Sequence, residues 1–226
     1  MQSAEIELKF PIGDLDRLQA RLPGLGFHLD TPRTFEQNTL YDTPARTLQH
    51  AKQILRVRRY GDLWTLTHKR KPDPAGDDAA HPGSAATYKV RIETETHIDD
   101  GPALAAIFEQ IGYWPVFRYE KFRTEWSQVT SMIGGPLFLG FGHIPAAPTS
   151  AHLVLDETPI GNYAELEGPP AWIDEMLGRL GVDPATCLTD SYGRLFLAWK
   201  ERTGSSAENL TFEEIPTPTL LSPALL

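Results

Sequence analysis

The feature that most constrains this chain is a set of short segments that alternate, residue by residue, between apolar and charged side chains. Ala4-Glu5-Ile6-Glu7-Leu8-Lys9-Phe10 is the first. A period of two is the signature of a β-strand, and it puts Glu5, Glu7 and Lys9 on one face and Ala4, Ile6, Leu8 and Phe10 on the other. The pattern recurs with Arg56 and Arg58 opposite Leu55 and Val57, and with Thr65, Thr67 and Lys69 opposite Trp64 and Leu66. Lys89, Arg91, Glu93 and Glu95 oppose Tyr88, Val90 and Ile92, and Glu165 and Glu167 flank Leu166, while Lys121 and Arg123 share a further face. Strands are predicted at about 4–10, 35–41, 53–60, 63–70, 87–96, 116–128, 153–158 and 163–168, with tight hairpins at Gly61-Asp62 and around Ile160-Gly161-Asn162.

Helices are set between them. Asp14 caps one bearing Leu15, Leu18 and Leu22, and Asp99 and Asp100 cap one bearing Leu104, Ile107, Phe108 and Ile111 up to Gly112. A third carries Ile173, Met176, Leu177 and Leu180 and is stopped by Gly181; a fourth carries Tyr192, Leu195, Phe196 and Trp199. Eight strands without a βαβ rhythm predict an antiparallel α+β domain over 1–202. Segments 71–86 and 129–151, punctuated by Pro and Gly, are expected to be flexible loops. From 203 to 226 there are three acids, no base and three prolines, the composition of a poorly ordered tail.

Thirty acids against 21 bases give a net charge of −9, so the chain lacks the general attraction for phosphate backbones, and no nucleic-acid partner is expected. No apolar run approaches the roughly 20 residues of a membrane-spanning helix, so no membrane association is expected. The lone Cys187 cannot close an internal disulfide and fits a reducing compartment, so a cytoplasmic location is expected.

Charged strand faces admit two arrangements. In one, a one-sided sheet turns them to solvent. In the other, the helices cover the apolar faces from outside, the sheet closes into an eight-stranded barrel, and the charges line a tunnel able to enclose one small ligand. The chemistry of the second is coherent. Glu5/Glu7 and Glu165/Glu167 are carboxylate pairs about 6.5–7 Å apart along a strand face, hard oxygen donors suited to Mg²⁺ or Mn²⁺. Arginines and lysines at alternate positions on several strands form a multi-point clamp for a polyphosphate. No GxxxxGK[ST] loop is present, so side chains would grip the phosphates. The seven histidines are scattered, and His68 is expected to point away from the tunnel; Tyr192 and Arg194 could approach a tunnel mouth, but Tyr192 sits on an apolar stripe and is expected in the core.

The pentapeptide Glu5-Ile6-Glu7-Leu8-Lys9 resembles the E-x-E-x-K signature of the CYTH superfamily, the triphosphate tunnel metalloenzymes. Tyr41-Asp42-Thr43-Pro44, Leu55-Arg56-Val57-Arg58, Thr65-Leu66-Thr67-His68-Lys69, Lys89-Val90-Arg91-Ile92-Glu93, Lys121-Phe122-Arg123-Thr124, Asp156 and Glu165-Leu166-Glu167-Gly168 follow in the family's order. The resemblance implies a closed eight-stranded antiparallel tunnel with amphipathic helices outside. It implies a divalent cation, Mg²⁺ or Mn²⁺, on Glu5, Glu7, Asp156, Glu165 and Glu167. A small-molecule triphosphate would be held by Lys9, Arg56, Arg58, Lys69, Lys89, Arg91, Lys121 and Arg123, with Lys9 and Glu93 catalytic. The leading expectation is a metal-dependent triphosphatase acting on inorganic triphosphate, a nucleoside triphosphate or thiamine triphosphate. The alternatives are a CYTH-type adenylyl cyclase and a non-catalytic polyphosphate-binding barrel. A homodimer is left open.

Overall fold

The computed structural model describes residues 2–72, 88–130 and 149–216. Its strands are β1 (Gln2–Ile12), β2 (His28–Asp42), β3 (Ile54–Tyr60), β4 (Leu63–Arg70), β5 (Lys89–Ile98), β6 (Trp114–Thr130), β7 (Thr149–Thr158) and β8 (Gly161–Glu167). Its helices are α1 (Leu15–Arg21), α2 (Thr47–His50), α3 (Gly101–Gln110), α4 (Pro170–Leu180) and α5 (Tyr192–Thr203). Each strand has two antiparallel neighbours in the order β1-β5-β4-β3-β2-β6-β7-β8, and β8 returns to β1 to close a barrel. Closure leaves no free pair of sheet edges and decides between the two arrangements: the charged faces look inward.

The apolar faces are buried from outside. Ile6, Leu8 and Phe10 of β1, Leu153 and Leu155 of β7 and Leu166 of β8 form one core with Leu18 of α1 and Ile173, Met176 and Leu177 of α4. Val57 and Tyr41 pack with Phe108 of α3 on the opposite flank. On α3 the expected apolar stripe is only half used: Phe108 is buried, whereas Ile107 and Ile111 remain 51% and 62% exposed.

Local chemistry sets the connections. Gly61 has φ 57, the left-handed conformation that lets the β3–β4 hairpin turn in two residues between Tyr60 and Leu63. The second hairpin turns at Pro159-Ile160, between the paired Thr158 and Gly161, two residues before the expected centre. Strand β2 begins seven residues before the expected 35, because register shifts between Leu29/Thr31 and Thr31/Thr34 absorb Pro32, whose missing N–H reads in sequence as a break. The single turn α2 has no periodicity to betray it; Asp42 holds it by accepting from Leu48 N and Gln49 N, both at 2.9 Å.

The expected loops lie mostly outside the described residues, at 73–87 and 131–148. Within the second of them, 129–130 and 149–151 are strand, continuing β6 and β7 with Thr130 opposite Thr149. The expectation of a poorly ordered tail is corrected over 204–216. Ala207, Leu210 and Ile215 are buried in a cluster with Tyr119, Tyr192 and Phe196, which supplies the apolar contact that composition alone does not reveal. Residues 217–226 lie outside the described residues. No helix among the described residues is long and apolar enough to cross a membrane.

Candidate active site

The barrel interior holds a cavity of about 390 Å³. Glu5, Glu7 and Lys9 of β1 line it with Arg56 and Arg58 of β3, Lys69 of β4, and Lys89, Glu93 and Glu95 of β5. Tyr119, Lys121, Arg123 and Glu125 of β6, His152 of β7, Glu165 and Glu167 of β8, and Ser191, Tyr192 and Gly193 at the start of α5 also line it, with Leu40, Ile54 and Val154 as its apolar part. The period-two rule explains the inward set on each strand; the cross-strand register decides which of these groups meet.

Glu7 stands opposite both Lys89 and Glu167. Oxygens of Glu5, Glu7 and Glu167 lie within 4.8 Å of one another. Burial, reinforced by the negative charges of Glu5, Glu165 and Glu7, pushes the Glu167 carboxyl up to about 8. Three converging carboxylate oxygens, one of them on a carboxyl raised by burial and by its acidic neighbours, fit a hard divalent cation of the Mg²⁺ or Mn²⁺ kind. Among the described residues no Cys/His cluster competes for it.

The other two expected metal ligands stand elsewhere. Asp156 is fully buried and accepts from Lys121 at 2.8 Å, from Arg123 at 2.7 Å (Nε to Oδ1) and 2.6 Å (Nη2 to Oδ2), and from the Tyr192 hydroxyl at 2.6 Å. Glu165 accepts from Lys9 and, at 2.6 Å, from Arg123. Burial alone would raise the Glu165 carboxyl, but Lys9, Arg123 and Lys121 outweigh it and hold it well below the usual carboxylate range. Asp156 and Glu165 thus accept from cationic side chains and lie outside the carboxylate trio.

Most of the expected phosphate ligands do converge. Arg56, Arg58, Lys69, Lys89, Lys121, Arg123 and Lys9 all face the cavity. Each is pre-set by an acid or hydroxyl: Arg58 donates to Thr65 Oγ1 at 3.1 Å and to Glu95 at 3.2 Å, Arg56 to Thr67 Oγ1 at 3.1 Å, and Lys69 to Glu5 at 3.0 Å. Lys89 pairs with Glu7, and Lys69 also pairs with Glu93. Lys9 is held in its charged form: burial would lower it, yet Glu165 and Glu7 raise it above its ordinary value. Arg91 is the exception. It does not line the cavity, and its guanidinium donates to the Val90 carbonyl at 2.8 Å. The two residues expected to be catalytic, Lys9 and Glu93, both reach the cavity, each within an ion pair.

Sequence reasoning missed several groups. Glu36 and Asn38 of β2 are fully buried and joined at 2.8 Å, and Glu36 faces Lys121 at 3.4 Å. Burial would raise the Glu36 carboxyl, but Lys121 and Arg123 bring it down to about 2. Their alternation with Phe35 and Gln37 was the available signal, as was that of Glu125 with Lys121 and Arg123. His152 also faces the cavity. His68, as expected, does not line it and pairs with Gln53 at 3.2 Å. Tyr192 is buried, as its place on the apolar stripe of α5 predicts, and it also lines the cavity, its ring 4.2 Å from Lys9 Nζ and 4.9 Å from Lys121 Nζ.

The fold and site together define a closed antiparallel tunnel that gathers three carboxylates beside a ring of arginines and lysines. The CYTH domain model matches residues 3–168, and the chain belongs to that family of enzymes. No curated sequence matches it significantly. A candidate adenylate cyclase from Vibrio parahaemolyticus is similar in structure with a TM-score of 0.58 at 18% identity, over 85% of this chain and 97% of that one. A protein from Pyrococcus horikoshii OT3 gives 0.59 at 20% identity, over 86% and 99%. A candidate adenylyl cyclase from Hippeastrum, described as having a dominant triphosphatase activity, gives 0.55 at 17% identity, over 88% and 96%. At these identities the likeness is one of fold.

Proposed function

We propose that this protein is a divalent-metal-dependent hydrolase of a small triphosphate. The observation that carries the reading is the meeting, inside one barrel cavity, of the Glu5/Glu7/Glu167 trio with the cations of β3, β4, β5 and β6. An anion-binding barrel without catalysis has no use for such a trio, because carboxylates brought together in the cavity repel an anionic ligand.

In this reading Glu5, Glu7 and Glu167 would hold the Mg²⁺ or Mn²⁺, which supplies charge neutralisation on the phosphate oxygens. Arg56, Arg58, Lys69, Lys89, Lys121 and Arg123 bind and align the phosphate chain, exchanging part of their internal partners for phosphate oxygens. Lys9, kept charged by Glu165, stabilises the negative charge that builds up on the transferred group. Water attacks the terminal phosphorus; a new P–O bond forms as the bridging P–O bond breaks, releasing orthophosphate and the remaining diphosphate. Glu93 is assigned to orient that water and take its proton.

Assays of inorganic triphosphate, ATP, GTP and thiamine triphosphate with Mg²⁺ or Mn²⁺ test the proposal. Orthophosphate release that stops with chelator supports it. Formation of cyclic AMP and pyrophosphate from ATP would replace it with the cyclase reading, and binding without turnover with the non-catalytic one.

A further inference from the structure

Strand β6 outruns its neighbour. β7 pairs with it only from Phe122 onward, so on that side the edge of β6 before Phe122 needs another partner for its N–H and C=O groups. The chain supplies one from beyond the region that the family model covers. Leu210 N donates to the Arg118 carbonyl at 3.0 Å, and Glu120 N donates to the Leu210 carbonyl at 2.9 Å, a parallel bridge centred on Tyr119 and Leu210. Asn209 Oδ1 accepts from Arg118 N at 2.9 Å, and Glu120 Oε2 accepts from Phe212 N at 3.1 Å. Glu214 braces the turn, accepting from Glu208 N at 2.6 Å and from Asn209 N at 2.9 Å.

Tyr119 is the residue that this bridge brackets, and its side chain faces the cavity. Its hydroxyl accepts from Arg56 Nη1 at 3.2 Å. Arg56 lines the cavity and is 8% exposed, and its Nε has no hydrogen-bond partner among the described residues. The order of contact is thus Leu210 to the β6 backbone, Tyr119 to Arg56, and Arg56 to the cavity.

We infer that residues 205–216 are a positioning strap for the substrate site: by completing the β6 edge they fix Tyr119, and through it the Arg56 guanidinium, for a phosphate group. The inference rests on the triphosphate reading for its ligand, but its mechanical part is testable without one. In full-length protein, Leu210→Asp removes the buried anchor, Leu210→Ile restores it, and Tyr119→Phe removes only the hydroxyl that accepts from Arg56 Nη1, leaving its bond to Thr67 in place.

Two readouts separate positioning from mere stability. Without ligand, Arg56 should react faster with an arginine-specific dicarbonyl reagent, located by mass spectrometry, in Leu210→Asp and Tyr119→Phe but not in Leu210→Ile. With inorganic triphosphate, KM should rise about tenfold in Leu210→Asp while kcat stays within about twofold. Should Leu210→Asp fail to fold, Tyr119→Phe alone decides by the same labelling and by its KM. Unchanged Arg56 labelling in folded Leu210→Asp or Tyr119→Phe, or a Leu210→Asp protein that melts earlier at wild-type KM, overturns the strap. Wild-type protein that neither binds nor hydrolyses triphosphate overturns the functional reading instead, and the labelling result then judges the strap by itself.

Discussion

The hydroxyl of Tyr192, carried by the last helix, donates to Asp156 Oδ2 at 2.6 Å inside the barrel. The same carboxylate receives Lys121 and both faces of the Arg123 fork, so a residue from outside the sheet closes a buried network that orients two of the site's cations. Burial, together with the charges of Asp156 and Glu165, keeps the Tyr192 phenol well above its usual range, so it remains a donor.

Asp156 and Glu7 therefore separate two roles that their shared chemistry hides. Asp156→Asn strips a buried counter-charge from Lys121 and Arg123 and is expected to cost about 3–5 kcal/mol. Its Mg²⁺ affinity should stay within about threefold of wild type, the ordinary tolerance for a group that is not a ligand. Glu7→Gln should do the reverse. Denaturant titration alongside calorimetric Mg²⁺ titration checks both, and a large loss of Mg²⁺ affinity in Asp156→Asn would return that residue to the metal site.

The pH dependence follows from Glu167. Its carboxyl is raised from 4.5 to about 8, so without a cation the folded state keeps a proton that the unfolded chain releases. That contribution to stability is full below the unfolded value and is lost as pH rises toward about 8. In chelator, Tm should fall between pH 6 and 8; with Mg²⁺ the fall should flatten, and binding should release about one proton per ion. A Mg²⁺ affinity that is flat over this range would remove Glu167 from the ligand set.

Arg58 reaches the cavity between Thr65 and Glu95. Arg58→Ala should raise KM for every triphosphate by about tenfold or more, as loss of a charge-assisted clamp does. Steady-state kinetics at fixed free Mg²⁺ tests this, and wild-type KM would place the side chain outside the working part of the tunnel.

Ile6 tests the inside-out strands. It is 8% exposed, in the core shared by β1 and α4, one residue from the inward Glu7. Ile6→Ala should cost about 2–5 kcal/mol of stability. The folded protein should bind tripolyphosphate as wild type does, and a changed affinity by calorimetry would mean that the two faces of β1 are not independent.

The order of residues along the chain is enough to assign the face of each strand. A period of two assigns Glu5, Glu7, Lys9, Arg56, Arg58 and Glu167 to one side of their strands whatever the sheet then does. The helices over 101–110 and 170–180 and their glycine or aspartate ends were equally local, because capping and periodicity act within a few residues. Tertiary structure decided the rest. Only closure turns the charged faces into a tunnel, since an open sheet satisfies the same alternation. Only the register of β6, β7 and β8 shows that Asp156 and Glu165 neutralise Lys121, Arg123 and Lys9, whereas Glu5, Glu7 and Glu167 are left crowded together. Tyr192 and Leu210 lie far along the chain from the strands they meet, and nothing local marks an aromatic on a helix stripe, or a leucine in a polar tail, as part of a site. Their roles arise from long-range packing, which residue spacing does not encode.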